Sequence, residues 1–184
     1  LSSLLGCLAI SFAAVVPSRA ALMDNGIDPA NLGTGQWIYF LKHATNQLGG
    51  NVTSVTNIPS LMQFYKQSGI DYIVVKSGTG SKVFPENDPQ FTQELVNAAH
   101  DAELKIFGYT RSHGKDVEGE IALAIHNYEL GADGFVIDAE SEWESHKLNN
   151  GPERAIRLCQ GIKARYPNRF LAHAPFPIIS YHRS

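Results

Sequence analysis

The feature that most constrains the fold is a regular alternation of apolar β-type segments with helical ones. Apolar residues recur at helical spacing between the β-type segments, as at Leu61, Phe64 and Tyr65. Such alternation predicts repeated right-handed βαβ units and therefore a parallel sheet. The predicted strands cover residues 36–42, 71–76, 104–110, 134–138 and 170–174, with successive starts 30 to 36 residues apart.

Turn-forming residues mark the expected ends of the helices. Gly69 and Gly131 follow apolar periodic segments and predict helix C-termini. Asp88-Pro89, Asp116 and Gly151-Pro152 predict helix starts, because Asp is a good N-cap and Pro fits the first turn. No segment is predicted to form a β-hairpin, and residues 77–80 are predicted to be a flexible loop.

Two architectures contain such units, a (β/α)8 barrel of the TIM type and an open doubly wound parallel sheet. A complete barrel has about 250 residues, and the units here extend only over residues 36–184, enough for about four and a half. We therefore expect the N-terminal half of a TIM barrel, truncated at its C-terminus. The open doubly wound sheet is the alternative. Residues 21–35 are rich in Gly, Asn, Asp and Pro and are predicted to be a leader loop.

The N-terminus has the pattern of an export signal. Residues 4–16 are apolar and uncharged, which is too short for a bilayer span but suits the core of a signal peptide. We expect residues 1–20 to be a signal peptide cleaved near Ala20, and the protein to be periplasmic or extracellular. A lipid-anchored Cys7 and a buried N-terminal helix are the alternatives.

Composition excludes several classes of function. The chain has 15 Lys and Arg against 18 Asp and Glu, a balance that does not favour nucleic-acid binding. Cleavage after Ala20 leaves Cys159 as the one cysteine, which excludes disulfide frameworks and multi-cysteine metal centres. We expect no cofactor and no stable membrane insertion of the mature chain.

The densest group of candidate residues follows the fourth predicted strand, and active sites of parallel α/β folds lie at the C-terminal ends of strands. Asp138 and Glu140 alternate along the strand and should therefore share a face. Two adjacent carboxylates repel, so the pKa of one rises, as general-acid cleavage of a glycosidic bond requires. Trp143 is a candidate for stacking on a sugar. Glu142 is a candidate substrate contact, with a solvated loop charge as the alternative.

Residues 133–140 (DGFVIDAE) resemble the fourth-strand signature of chitinase-type glycoside hydrolases, D-G-x-D-x-D-x-E. The resemblance implies that Glu140 is the general acid. It also implies that Asp138 orients the N-acetyl group of the substrate, which acts as the nucleophile. Val136 replaces the middle Asp of the signature, which favours a non-catalytic alternative.

Two wider resemblances point to the same class. The D-x-E strand end is similar to that of barrel muramidases, which cut bacterial cell walls. The chain also resembles uncharacterised bacterial exported TIM-barrel proteins of glycoside-hydrolase type. The segments that carry this second resemblance are residues 75–80, 131–140 and 176–182.

The remaining candidates lie at the ends of other predicted strands. Lys76 is predicted to bind substrate or pair with a carboxylate, with a Schiff-base nucleophile as the alternative. Tyr109 is predicted to line the cleft with Arg111 and His113, whereas Trp37 is predicted to be a core residue. His173 is a candidate substrate contact, with a core histidine or a metal site shared with Asp138 and Glu140 as alternatives.

These observations predict an exported glycoside hydrolase that acts on a polysaccharide or cell-wall glycan by carboxylate general-acid catalysis. A non-catalytic glycan-binding barrel is one alternative. A metal-dependent or Schiff-base barrel enzyme is another. In each glycan-directed case the expected partner is a carbohydrate and not a nucleic acid.

Overall fold

The computed structural model describes residues 27–51, 56–144 and 148–175. The predicted signal peptide and the resemblance segment 176–182 lie outside these residues. Within the described part of the chain, no helix is both long and apolar enough to cross a membrane.

The protein is an α/β fold built on a six-stranded sheet, which confirms the fold class expected from the alternation. Five strands are parallel and lie side by side in chain order, β1-β2-β4-β5-β6, and the short β3 pairs antiparallel with β2. The strands are β1 Gly35–Ile38, β2 Tyr72–Thr79, β3 Lys82–Val83, β4 Lys105–Ser112, β5 Gly134–Ala139 and β6 Phe170–Pro175. The helices are α1 Leu41–Asn51, α2 Ile58–Gln67, α3 Gln93–Asp101, α4 Val117–Glu129 and α5 Gly151–Arg165.

Several predicted helix ends are confirmed. Asp116 caps α4 by accepting a hydrogen bond from the Gly119 amide, and α5 begins at Gly151. Gly69 and Gly131 follow α2 and α4 with φ of 79° and 101°, a conformation that glycine adopts without steric cost.

Two predicted boundaries are wrong, one because a distant side chain bonds to the start of α1 and one because a different local residue caps α3. The first strand ends at Ile38, and α1 begins at Leu41, whose amide donates to the Gln90 side chain. Asp88-Pro89 does not begin a helix. Instead Thr92 caps α3 by accepting from the Leu95 amide.

The prediction of no β-hairpin is also wrong. The segment 77–80, expected as a flexible loop, largely continues β2, and Thr79 pairs with Lys82 across a turn at Gly80 and Ser81. Thr110 supports this turn by donating its hydroxyl hydrogen to the Gly80 carbonyl. With only two residues, β3 is too short to produce a visible alternation in the sequence.

Helices of residues 27–51, 56–144 and 148–175 cover one face of the sheet and leave the other without helices. All five helices contribute to the core on the first face, where Ile73, Ile106 and Phe135 are buried against residues such as Leu61 and Leu95. The opposite face carries a smaller apolar cluster of Val74, Phe107, Tyr109 and Val136. Ile27 and Leu32, which precede β1, pack against that cluster, and no described helix does. We call this second surface the helix-free face.

Replacing Ile106 with Ala should lower the free energy of unfolding by about 2–5 kcal/mol, because Ile106 is 0% exposed and its removal leaves a cavity. Ile156→Ala is the matched control, since Ile156 is 57% exposed on α5 and its loss should change stability by about 0.5 kcal/mol or less. Urea denaturation of both variants measures the difference. Equal losses would contradict this assignment of the core.

Candidate active site

Polar side chains gather on the helix-free face at the C-terminal ends of the parallel strands. Lys76 in β2 lies beside Tyr109 in β4, and Arg111 in β4 lies beside Asp138 in β5. Because paired residues of neighbouring strands share a face, these four side chains lie on the same side of the sheet. Glu140 follows β5 directly, and its carboxylate contacts the Arg111 guanidinium, which places it with them.

Arg111 holds two of the predicted carboxylates. Its Nη2 lies 2.7 Å from Oε1 of Glu142 and 3.1 Å from Oε2 of Glu140. The sequence placed Arg111 on the cleft wall but gave no sign of this shared contact. One guanidinium therefore fixes the two acids of the loop after β5 beside the end of β4.

Glu142 is a partner of Arg111, so the alternative of a solvated loop charge is wrong. Burial acts to raise the pKa of Glu142, but a hydrogen bond to its own backbone amide and the Arg111 charge outweigh it and lower that pKa. Oε2 of Glu142 and Nε of Arg111 are both buried without a hydrogen-bond partner among the described residues. Arg111 and Glu142 thus each keep one polar atom that has no hydrogen-bond partner among the described residues.

Asp138 is the carboxyl group of the cluster whose pKa rises. Burial, followed by the negative charge of Glu140, raises the pKa of Asp138 to about 6 against the opposing charges of Arg111 and Lys76. The sequence predicted that one acid of the Asp138–Glu140 pair would behave in this way. A carboxyl group with a pKa near 6 carries a proton in mildly acidic solution and can take part in proton transfer.

Tyr109 lies beneath an exposed aromatic ring. It is 3% exposed, and burial raises its pKa to about 12, so the phenol stays neutral. Its ring centroid lies 4.6 Å from that of Trp37, which is 45% exposed. The prediction that Trp37 is a core residue is therefore wrong, and Trp37 offers an aromatic surface on the helix-free face.

Lys76 is buried against two aromatic rings. Its Nζ lies 4.0 Å from the centroid of the Tyr39 ring and 4.3 Å from that of Phe84. We call Lys76, Tyr39 and Phe84 the lysine cage. Ring faces attract a cation, so these contacts hold the ammonium group between the two side chains. The predicted ion pair between Lys76 and a carboxylate is not present among the described residues.

Gln90, which the sequence analysis did not single out, ties the lysine cage together. Its Nε2 donates to the carbonyls of Tyr39 and Lys76, each at 2.8 Å, and its backbone amide donates to the Phe84 carbonyl at 3.2 Å. Its Oε1 accepts from the Leu41 amide at 2.9 Å. Gln90 therefore links the end of β2 to the residues after β1 and to the segment after β3.

Trp143 and His173 lie on the helix side of the sheet. The indole Nε1 of Trp143 donates to the carbonyl and hydroxyl oxygens of Ser112, and its ring packs against the helix-side core. His173 pairs with Ile137, not Asp138, and shares its face of the sheet. Both residues line a cleft of about 1040 Å³ beside α5, and Glu140 lines it too. Their contact with a sugar stays a prediction, and the carboxylate with which they share a cleft is that of Glu140, not of Asp138.

The metal alternative fails for the same reason. Asp138 and His173 are on opposite faces of the sheet, so they cannot share an ion. Within the described ranges, no group of three or more His, Cys, Asp or Glu side chains has the geometry of a metal site.

Glu120 is a second residue that sequence reasoning missed. It is buried on α4 and accepts hydrogen bonds from the Ser112 hydroxyl and from the amides of His113 and Gly114. Because Ser112 also accepts from Trp143, Glu120 fixes the loops that follow β4 and β5 relative to each other.

Comparison with known proteins supplies no family for the chain. No protein-family profile matches it, and no curated protein matches it significantly. The function therefore has to be argued from the site itself.

Asp138→Asn should stabilise the protein at pH 8 and have a smaller effect at pH 4.5. The folded pKa of Asp138 is raised from 3.8 to about 6, so its ionised form weakens the fold above pH 6. This penalty falls as the pH drops from 6 towards 3.8, because the folded state then binds the proton more tightly than the unfolded state. Thermal melts of both proteins at the two pH values measure the effect. An equal gain at both would contradict the raised pKa.

Proposed function

We propose that the protein is a glycoside hydrolase that acts on a polysaccharide or cell-wall glycan, with Asp138 and Glu140 as its acid pair. The observation that carries the proposal is the raised pKa of Asp138 beside Glu140 at the strand ends of the helix-free face. The resemblance of residues 133–140 to the chitinase-type signature supports the same roles.

In this proposal the pair holds one proton in mildly acidic solution, and Asp138 is where it resides. Glu140 lies at the end of β5 with its side chain 29% exposed, so it can reach a bound glycan. The proton passes from Asp138 to Glu140, and Glu140 gives it to the leaving oxygen as the glycosidic C–O bond breaks. Water supplies the hydroxyl group that remains on the anomeric carbon, and the other proton of that water returns to the acid pair. Arg111 keeps Glu140 in place during these steps.

We further propose that the sheet is the first part of a (β/α)8 barrel. The described parallel strands follow chain order without reversal, and the described helices pack on one face. A doubly wound sheet has a reversal of strand order and helices on both faces. In a closed barrel the helix-free face becomes the interior, and Lys76, Tyr109 and Asp138 then surround its C-terminal mouth.

The apolar segment at residues 4–16 supports export of the chain, with residues 1–20 removed as a signal peptide. Export agrees with a substrate that lies outside the cytoplasm, as cell-wall and extracellular glycans do.

A non-catalytic glycan-binding protein is the second candidate, and Val136 favours it. Val136 is buried among Val74, Phe107 and Tyr109, at the position where the chitinase-type signature has an acid. This candidate predicts saturable glycan binding without new reducing ends.

Glu140→Gln should reduce hydrolysis by about 100-fold or more, because Gln cannot donate the proton that the leaving oxygen needs. The measurement is the release of reducing ends from a panel of polysaccharides and purified cell wall. Glu144→Gln, in the same loop, is the matched control and should keep its activity. Full activity in the Glu140 variant would overturn the assignment. Glycan binding without reducing ends in the unmodified protein would select the second candidate.

Trp37→Ala should weaken glycan binding about 5-fold to 10-fold without unfolding the protein, because the exposed ring contributes about 1 kcal/mol of stacking. Trp37→Phe keeps an aromatic surface and should lose less. Isothermal titration with the glycan that the unmodified protein binds measures both. Unchanged affinity in the Ala variant would remove Trp37 from the site.

A further inference from the structure

We propose that the lysine cage is a subsite for a carboxylate, so that the glycan recognised by this protein carries an acidic sugar. The inference rests on the proposed function in taking the ligand to be a glycan. It assigns the charge of that glycan and the residue that recognises it.

The first argument is the state of the Lys76 ammonium group. The residue is 3% exposed, and among residues 27–51, 56–144 and 148–175 no oxygen accepts a hydrogen bond from Nζ and no carboxylate pairs with it. An ammonium group has three N–H donors, and the two ring faces provide electrostatic stabilisation but no oxygen acceptor. A carboxylate oxygen that reached Nζ would form a charge-assisted hydrogen bond, which is stronger than one between neutral groups.

The second argument is that the cage is already organised for binding. Gln90 bonds to the backbone of Tyr39, Lys76 and Phe84, so all three members are held before a ligand arrives. The Tyr39 and Phe84 rings meet edge to face, with centroids 5.3 Å apart and planes inclined at 70°. Lysine loses much side-chain entropy when it is fixed, and here the fold has already imposed that cost.

The third argument is the distribution of charge on the helix-free face. The Arg111 guanidinium is occupied by Glu140 and Glu142, so it has no charge left for a ligand anion. Lys76 contacts no carboxylate of the described residues and attracts Asp138 only at longer range, and its ammonium group has one positive charge. A sugar with one carboxylate matches it, and a neutral sugar leaves the ammonium unpaired. Tyr39, a member of the lysine cage, is 53% exposed. Its ring therefore offers an aromatic surface to the pyranose ring that bears the carboxylate.

Two kinds of glycan carry such a group. Acidic polysaccharides contain uronic acids, and bacterial cell walls contain muramic acid, whose lactyl carboxylate is free where the stem peptide has been removed. The shared chemistry is a carboxylate on a pyranose, and the probes below separate the two sources.

The test is NMR of the lysine side-chain amines in the full chain. The Lys76 Nζ signal, assigned by its loss in Lys76→Met, is followed during titration with sodium glucuronate or N-acetylmuramate. Glucuronamide and N-acetylglucosamine are the matched neutral probes. We expect a saturable shift with at least one acid, with a dissociation constant on the order of 1 mM, and none with the neutral probes.

Lys82→Met is the matched control variant, because Lys82 is exposed on the neighbouring hairpin and is already paired with Glu86 at 2.7 Å. It should bind the acid unchanged. A response to glucuronate assigns an acidic polysaccharide, and a response to N-acetylmuramate assigns the cell wall. The proposal is overturned if neither acid shifts the signal, if the neutral probes shift it equally, or if the Lys82 variant loses binding. The shift is measured on the unmodified protein, and Lys76→Arg, which also removes the amine signal, provides the assignment if Lys76→Met does not fold.

The outcome is separate from that of the hydrolase assay. A carboxylate response in a protein that releases no reducing ends retains the subsite and rejects hydrolysis. Hydrolysis that depends on Glu140 without a carboxylate response retains the enzyme and rejects the subsite.

Discussion

The helices in the described part of this protein cover one face of its parallel sheet, and the faces on which the candidate strand residues lie follow from that constraint. Successive side chains of a strand lie on opposite faces, so each strand gives one set to the helix-packed core and the other to the helix-free face. Ile137 and Asp138 are neighbours in β5, yet one belongs to the apolar core and the other to the polar cluster. Arg111, Glu140 and Glu142 would lose their mutual contacts if one of them lay on the helix-packed face.

The charges on the helix-free face are distributed unevenly, and this gives the cluster its chemistry. Arg111 pairs with Glu140 and Glu142, whereas Asp138 has no such bond and feels Arg111 and Lys76 only through longer-range attraction. Burial therefore dominates at Asp138 and favours its protonated form. The Tyr39 and Phe84 rings contact the Lys76 ammonium group but offer it no oxygen acceptor. The same face therefore holds a protonatable carboxyl group and an ammonium group that contacts no carboxylate of the described residues.

The local pattern of the sequence predicted much of the fold and one part of the site. Gly69, Gly131 and Asp116 mark helix ends through backbone and capping preferences that need no distant partner. The alternation in residues 138–140 placed two acids on one face, where Arg111 now joins them. The hairpin that pairs Thr79 with Lys82 was not predicted, because a strand of two residues shows no periodic pattern in the sequence.

The residues that were missed depend on contacts between segments far apart in the chain. Gln90 bonds to Tyr39 across 51 positions, and no local pattern marks that contact. His173 and Trp143 were assigned to the carboxylate site from their closeness to strand ends, but the pairing of β5 with β6 and the Ser112 hydrogen bonds place them on the helix side. Sequence alternation gives the relative faces of residues within one strand. The faces of residues in different strands depend on how those strands pair.

The most direct test of the central claim, that the helix-free face holds a protonatable carboxyl group, is an NMR titration of the Asp138 side-chain carbon between pH 3 and pH 8. The structure predicts a midpoint near pH 6. A midpoint near the ordinary aspartate value of 3.8 would show a well-solvated carboxylate at this position and would contradict the account of the site.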